Sequence, residues 1–121
     1  YEVMAGLVKR WGKDCIGSNG YSAVGAVVGA TWPEQGTELR TLIPGVPFLL
    51  PGYGAQGATG SGLAGCFDKD GLGSVVNASR SRICAHKKQA GVPYTDTARQ
   101  AAREMKEDLL VSLQNAGRLN Y

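Results

Sequence analysis

The chain has 121 residues, a net charge of +3, and 43% hydrophobic against 19% charged residues. This length suits one domain with its own core, and this balance excludes an intrinsically disordered chain. The basic residues are spread along the chain, and the uncharged run at 17–33 is interrupted by the polar segment SNGYS. We therefore expect no nucleic-acid partner and no membrane span.

Cysteine use points to a reducing compartment. The three cysteines, Cys15, Cys66 and Cys84, are odd in number, far apart, and without the C-x-x-C spacing of zinc and redox sites. No secretory signal begins the chain. We expect reduced cysteines, no metal site, and a cytoplasmic protein.

The first predicted element is an amphipathic helix over residues 1–11. Its apolar residues recur at the three- and four-residue spacing of one helical face: Met4, Leu7, Val8 and Trp11. The helix starts at the first residue without a capping side chain before it. We therefore expect the chain to be a piece of a longer protein.

A strand and a second helix follow. The uncharged run VGAVVGA at 24–30 predicts a strand that is buried on both faces. Pro33 suits the first turn of a helix that runs to about residue 43. The residues expected to face inward on this helix are Leu39, Leu42 and Ile43.

The second half of the chain repeats the alternation. VPFLL at 46–50 and SVVNA at 74–78 predict two more buried strands, with a short glycine-broken helix at 61–67 between them. A long helix is predicted over 95–116. Its apolar stripe comprises Ala98, Ala102, Met105, Leu109 and Leu113.

Strands that alternate with helices predict a parallel sheet with right-handed crossovers. Three strands make a poor complete sheet but a good part of a (β/α)₈ barrel, which needs about 250 residues. The fold class is therefore α/β. We expect one partial domain over 1–121, in which 89–121 form the terminal helical region.

The loop PGYGAQG at 51–57 contains Gly52-x-Gly54-x-x-Gly57, the spacing of the dinucleotide-binding fingerprint. That reading requires a good helix directly after the loop and an acidic residue at the end of the next strand. The segment that follows is rich in glycine, and the next strand ends with Asn77, Ser79 and Arg80, without a carboxylate. The context therefore disfavours a dinucleotide.

A phosphate monoester fits this loop better. In (β/α)₈ barrels, the loops after the last two strands often form a phosphate site with the N-terminus of a short helix. Arg80, just past the predicted strand at 74–78, offers a fork of donors that matches a phosphate. SRSRICAH at 79–86 predicts the short helix.

Four segments together resemble the C-terminal part of the orotidine 5′-phosphate decarboxylase family, in its longer bacterial form. They are VVGAT at 27–31, Pro33-Glu34, PGYGAQG at 51–57 and VVNASR at 75–80. The resemblance covers most of residues 1–88. It implies a cofactor-free (β/α)₈ barrel, usually a homodimer, that converts orotidine 5′-phosphate to UMP in pyrimidine biosynthesis. The three strands would then be the sixth to eighth of the barrel.

The resemblance also assigns residues to the ligand. Gln56 matches the family's glutamine that closes over phosphate and pyrimidine, and Arg80 matches its phosphate-binding arginine. Pro51 and the backbone of Gly54 and Gly57 are expected to line the same pocket. The backbone N–H of Ser79 is expected to be a further donor.

The family's catalytic Asp/Lys array, D-x-K-x-x-D with a partner Lys, is absent from this chain. Asp68-Lys69-Asp70 has the wrong spacing and is expected to be a solvated turn. We therefore assign no catalytic residue here. The chain alone is expected to bind UMP weakly, if at all, unless it associates with the N-terminal portion.

Two other classes remain open from the residues. One is a sugar-phosphate isomerase or aldolase on the same barrel, and the other is a non-catalytic phosphate-binding module that covers its sheet edges by self-association. Gln56 favours a nucleotide, because a side chain that bridges phosphate and base has less purpose on a short sugar phosphate.

Overall fold

Three parallel strands form one sheet, in which their order follows their order along the chain. In this computed structural model, residues 1–54, 56–88 and 91–119 are described. The strands are β1 (Ala26–Val27), β2 (Phe48–Pro51) and β3 (Ser74–Asn77). The prediction of an α/β chain with three parallel strands is confirmed.

The helices alternate with these strands. They are α1 (Glu2–Gly12), α2 (Pro33–Leu42), α3 (Gly60–Leu63), α4 (Arg80–Ile83) and α5 (Tyr94–Asn115), with 3₁₀ turns at Ala64–Cys66 and Ala85–Lys88. Pro33 occupies the first turn of α2, as predicted. Among the described helices, none combines the length and apolar character that a membrane crossing requires.

The first strand is shorter than the predicted run at 24–30, yet its parallel alignment extends further. The N–H groups of Val28 and Ala30 donate to the carbonyls of Leu49 and Pro51, at 2.9 and 3.1 Å. The whole segment therefore stays beside β2, although only two of its residues have the full strand geometry.

The sheet is buried on one face rather than on both, which corrects the sequence-based expectation. Phe48 and Leu50 of β2 point into the core. On the opposite face, Val27, Leu49 and Val75 are register partners across the three strands. Their exposed fractions are 72%, 41% and 67%. The helices of this chain cover one side of the sheet, so this apolar row is left in solvent.

The predicted inward faces of α1 and α2 are also partly wrong. Trp11 and Met4 of α1 are more than half exposed, because this helix buries only the narrow face that carries Ala5 and Val8. On α2, Leu39 is buried as predicted, but Leu42 is exposed. The residue that α2 buries instead is Arg40.

Arg40 is 6% exposed and binds three separate segments with its guanidinium. Its Nε donates to the carbonyl of Cys66 at 2.8 Å, Nη1 to Val46 at 2.9 Å, and Nη2 to Gly73 at 2.8 Å. The guanidinium also stacks 3.9 Å from the ring centroid of Phe48. Val46 lies two residues before β2 and Gly73 directly precedes β3, so Arg40 fixes the amino-terminal ends of both strands.

The inward face of α5 is rotated from the predicted stripe. Thr97, Ala101 and Ser112 are buried along with Leu113, whereas Ala102 is exposed. Small residues let α5 approach α3 closely, since a Cβ added to Gly60 would lie 2.7 Å from the backbone oxygen of Asp108. This rotation brings the Asp108 side chain towards α3 and the loop after β2.

We predict that Arg40→Lys lowers the free energy of unfolding by about 2–4 kcal/mol. A lysine nitrogen carries three donors at one point and cannot reach the three carbonyls that the planar fork reaches. Urea unfolding measures the change. Arg10→Lys, on the exposed side of α1, is the control and should change stability by less than about 0.5 kcal/mol. Equal effects of the two substitutions would contradict this role.

Candidate functional site

The loop after β2 turns back on itself through its own backbone. Gly54 N–H donates to the carbonyl of Ala58 at 2.9 Å, and Gln56 N–H donates to Gly52 at 3.3 Å. Gly52 has φ +113°, and a Cβ there would lie 2.6 Å from Oε1 of Gln56. The positive φ favours glycine at position 52, and the missing Cβ leaves room for the present position of the Gln56 side chain.

A second wall comes from the end of β3. Asn77 ends this strand, Ser79 precedes α4, and Arg80 is the first residue of α4. Because β2 and β3 are adjacent and parallel, their carboxyl ends meet at the same edge of the sheet. The loop after β2 and the start of α4 therefore face each other.

A cavity of about 170 Å³ lies between these two walls. It brings together four of the six predicted ligand residues, which are Pro51, Gln56, Ser79 and Arg80. The other lining residues are Gly52, Tyr53, Asn77 and Ala78.

The lining chemistry suits an anion. Arg80 is the one charged residue among the described residues that line the cavity. The amides of Gln56 and Asn77 and the hydroxyl of Ser79 supply further polar groups. Arg80 and Gln56 are both exposed to solvent, so both are accessible to a ligand that enters from outside.

The remaining two predicted residues lie differently. Gly54 lines a neighbouring cavity of about 570 Å³, which Arg80 also lines. Gly57 N–H donates to the carbonyl of Gly54 at 3.2 Å. The N–H groups of both glycines are therefore bonded within the loop, and the contact of these two residues with a ligand stays a prediction.

Tyr53 links this loop to the long helix α5. Its ring is 8% exposed, and its hydroxyl donates to Oδ2 of Asp108 at 2.6 Å. The pKa of Tyr53 is raised to about 12. Burial is the largest cause of this rise, and the hydrogen bond to Asp108 is the second. The guanidinium of Arg82 lies 5.3 Å from the ring centroid. Sequence reasoning did not find Asp108, because the predicted apolar stripe placed it off the inward face of α5.

The segment Asp68-Lys69-Asp70 lies far from this cavity. It forms a turn, closed by a hydrogen bond from Gly71 N–H to the carbonyl of Asp68 at 3.0 Å. Asp68 also accepts a hydrogen bond from the Tyr21 hydroxyl at 2.6 Å and lies 3.6 Å from Nε of Arg40. The predicted turn is confirmed, but its first carboxylate is half-buried against Tyr21 and Arg40 rather than solvated as expected. Within the described ranges, no cluster of three acidic, cysteine or histidine side chains has the geometry to hold a metal ion.

Comparison with known proteins identifies relatives that align with 90% of the chain. No protein-family model matches it. It is 41% identical over 109 residues to orotidine 5′-phosphate decarboxylase from Caldicellulosiruptor bescii, covering 90% of this chain and 36% of that protein. It is 40% identical over 115 residues to the enzyme of the same name from Rhodopirellula baltica, covering 90% and 38%.

Comparison with solved structures agrees with the sequence comparison. The solved structure of UMP synthase from Leishmania donovani matches with a TM-score of 0.65 and 31% identity, over 98% of this chain and 22% of that one. The resemblance to orotidine 5′-phosphate decarboxylase is confirmed. The chain spans somewhat more than a third of the length of the two curated relatives. These relatives support the decarboxylase over the sugar-phosphate and non-catalytic alternatives.

The pKa of Tyr53 predicts a loss of stability at alkaline pH. Its folded-state pKa is about 12, above the value of 10.0 for a free tyrosine. The folded chain therefore keeps a proton that the unfolded chain loses, and this contribution is full below pH 10 and declines as pH rises from 10 to 12. The free energy of unfolding should therefore fall by about 1–2 kcal/mol less between pH 10 and 12 in Tyr53→Phe than in the parent chain. Unfolding measured at several pH values tests this.

The matched control is Tyr94→Phe, which removes the hydroxyl of an exposed tyrosine at the start of α5. It should leave the alkaline slope as it is in the parent chain. An identical slope for the parent and for Tyr53→Phe would show that this hydroxyl does not resist ionisation in the fold.

Proposed function

We propose that this chain is the C-terminal portion of an orotidine 5′-phosphate decarboxylase and forms the phosphate-binding wall of its active site. The enzyme would convert orotidine 5′-phosphate to UMP and CO₂ in pyrimidine biosynthesis. One observation carries the proposal: Gln56 and Arg80, 24 positions apart in sequence, line the same cavity at the carboxyl ends of two adjacent parallel strands.

The phosphate would be held by Arg80 and Gln56 together. The planar guanidinium donates two parallel hydrogen bonds to phosphate oxygens, and such charge-assisted bonds are the strong ones. The Gln56 amide carries a donor and an acceptor, so it can bind a phosphate oxygen and the pyrimidine at once. Ser79 and Pro51 complete this wall. Gly54 and Gly57 would act mainly through the shape of the loop, since their N–H groups are bonded inside it.

This wall would contribute binding energy rather than the chemical step. Loss of CO₂ leaves an electron pair on a ring carbon, and a nearby cation must stabilise it and deliver a proton. The family resemblance assigns that work to a buried lysine held by carboxylates. The lysines whose side chains are described here, Lys9, Lys13, Lys69, Lys87 and Lys106, are all exposed. The lysine would then come from outside this chain, and phosphate binding would hold the ring beside it.

The exposed apolar row supports the view of a partial barrel. Val27, Leu49 and Val75 lie side by side on one face of the sheet, and branched apolar side chains fill the layers inside (β/α)₈ barrels. The chain covers only 36–38% of its two relatives. We infer that strands outside this sequence cover the row, and that β1, β2 and β3 are the sixth, seventh and eighth strands. A homodimer in the cytoplasm follows from the same resemblance.

We predict that Arg80→Ala raises KM for orotidine 5′-phosphate about 10- to 100-fold in the complete decarboxylase that contains this chain. The substitution removes charge-assisted bonds to the phosphate. Steady-state kinetics measure the change. Arg99→Ala is the control, because Arg99 is exposed on α5 and pairs only at the surface with Asp96. An unchanged KM for Arg80→Ala would remove the basis of the proposal.

We also predict that the purified 121-residue chain does not decarboxylate orotidine 5′-phosphate and binds UMP weakly or not at all. The barrel wall that would carry the proton donor lies outside this sequence. Product formation and calorimetric UMP titration, with no other polypeptide present, test both parts. Turnover by this chain alone would refute the division of roles.

A further inference from the structure

We propose that Asp108 is a positioning residue for the loop at 51–58, and that it acts through the hydroxyl of Tyr53. This inference rests on the proposed function, because its consequence is the placement of Gln56 opposite Arg80. Asp108 lies on α5, outside the loop, and it does not line the cavity between the two walls.

One carboxylate oxygen of Asp108 binds two separate segments. Oδ2 accepts the Tyr53 hydroxyl at 2.6 Å and the backbone N–H of Gly60 at 2.7 Å. Gly60 is the first residue of α3. The same oxygen therefore joins the beginning of the loop to the helix that follows it, and attaches both to α5.

The backbone hydrogen bonds of the described residues 52–54 and 56–58 lie within the loop. Gly54 bonds to Ala58, Gln56 to Gly52, and Gly57 to Gly54. These bonds fix the shape of the loop, whereas its orientation on the fold depends on the flanking strand and helix and on the buried Tyr53 side chain. The buried Tyr53 hydroxyl supplies a bond to a distant element that sets this orientation. Bonds to an ionised acceptor are roughly twice as strong as neutral ones.

Tyr53 also reaches towards the opposite wall. Arg82 of α4, two residues after Arg80, holds its guanidinium 5.3 Å from the Tyr53 ring centroid. The ring therefore lies between Asp108 on one side and the helix of Arg80 on the other. Loss of the bond to Asp108 would release the ring and change the distance between Gln56 and Arg80.

The experiment compares Tyr53→Phe, Asp108→Ala and the double variant in the complete decarboxylase. We expect each single change to raise KM for orotidine 5′-phosphate about five- to tenfold, with kcat within about twofold at saturating substrate. The double variant should resemble Asp108→Ala, because Tyr53 acts through Asp108. Asp108→Asn, which keeps an acceptor oxygen, should recover part of the loss.

Asp96→Ala, at an exposed site in the first turn of α5, is the matched control and should leave both constants unchanged. Turnover by the parent enzyme would support the proposed function. If parent and variants then had equal KM values, the positioning role would be overturned. A lower kcat with unchanged KM would show a merely structural role and would also overturn it.

An inactive parent enzyme would refute the proposed function instead. The attachment would then be judged by amide hydrogen exchange of residues 52–58 and Gly60. Faster exchange in Asp108→Ala than in Asp96→Ala supports an anchor for this loop, and equal exchange overturns it.

Discussion

The buried guanidinium of Arg40 is the interaction on which the arrangement of the sheet depends. It binds backbone carbonyls next to the starts of β2 and β3 and at the end of the 3₁₀ turn between them. Burying a cation is costly unless its donors are satisfied. Here three carbonyls accept hydrogen bonds from the guanidinium, and the ring of Phe48 stacks against it. Because the strand starts are fixed relative to each other, the strand ends, where the cavity lies, are fixed as well.

The two ends of the sheet therefore differ in role: one stabilises the fold and the other carries the proposed ligand residues. The amino-terminal end holds Arg40, Asp68 and Tyr21 in a stabilising network. The carboxyl-terminal end holds the loop with Gln56 and the helix that begins at Arg80. This division is the one that (β/α)₈ barrels follow, with stability at one face and ligand chemistry at the other. Asp108 extends the second region, since it fixes the loop from the outer layer of the fold.

Features with a local cause could be predicted from the sequence. The three uncharged runs gave the three parallel strands, and the position of Gln56 and Arg80 after two of them predicted that they would lie close together. Features with a tertiary cause could not. The pattern of α2 predicts that the charged Arg40 is exposed. It is buried because three backbone carbonyls from other segments accept its hydrogen bonds. The charged segment EMKEDLL predicts that Asp108 is at the surface. The close contact of α5 with the glycine-rich α3 turns this side chain inward instead. The apolar runs also predicted strands covered on both faces, because a sequence pattern does not show which covering elements lie within the chain.

We propose that Gln56 and Arg80 together hold the phosphate of a nucleotide, and a crystal structure of the complete protein with UMP bound would test this. We expect phosphate oxygens about 3 Å from both the Arg80 guanidinium and the Gln56 amide, in the cavity between the loop and α4. A phosphate bound elsewhere in the protein, with neither side chain in contact with it, would show that these two residues do not form the phosphate site.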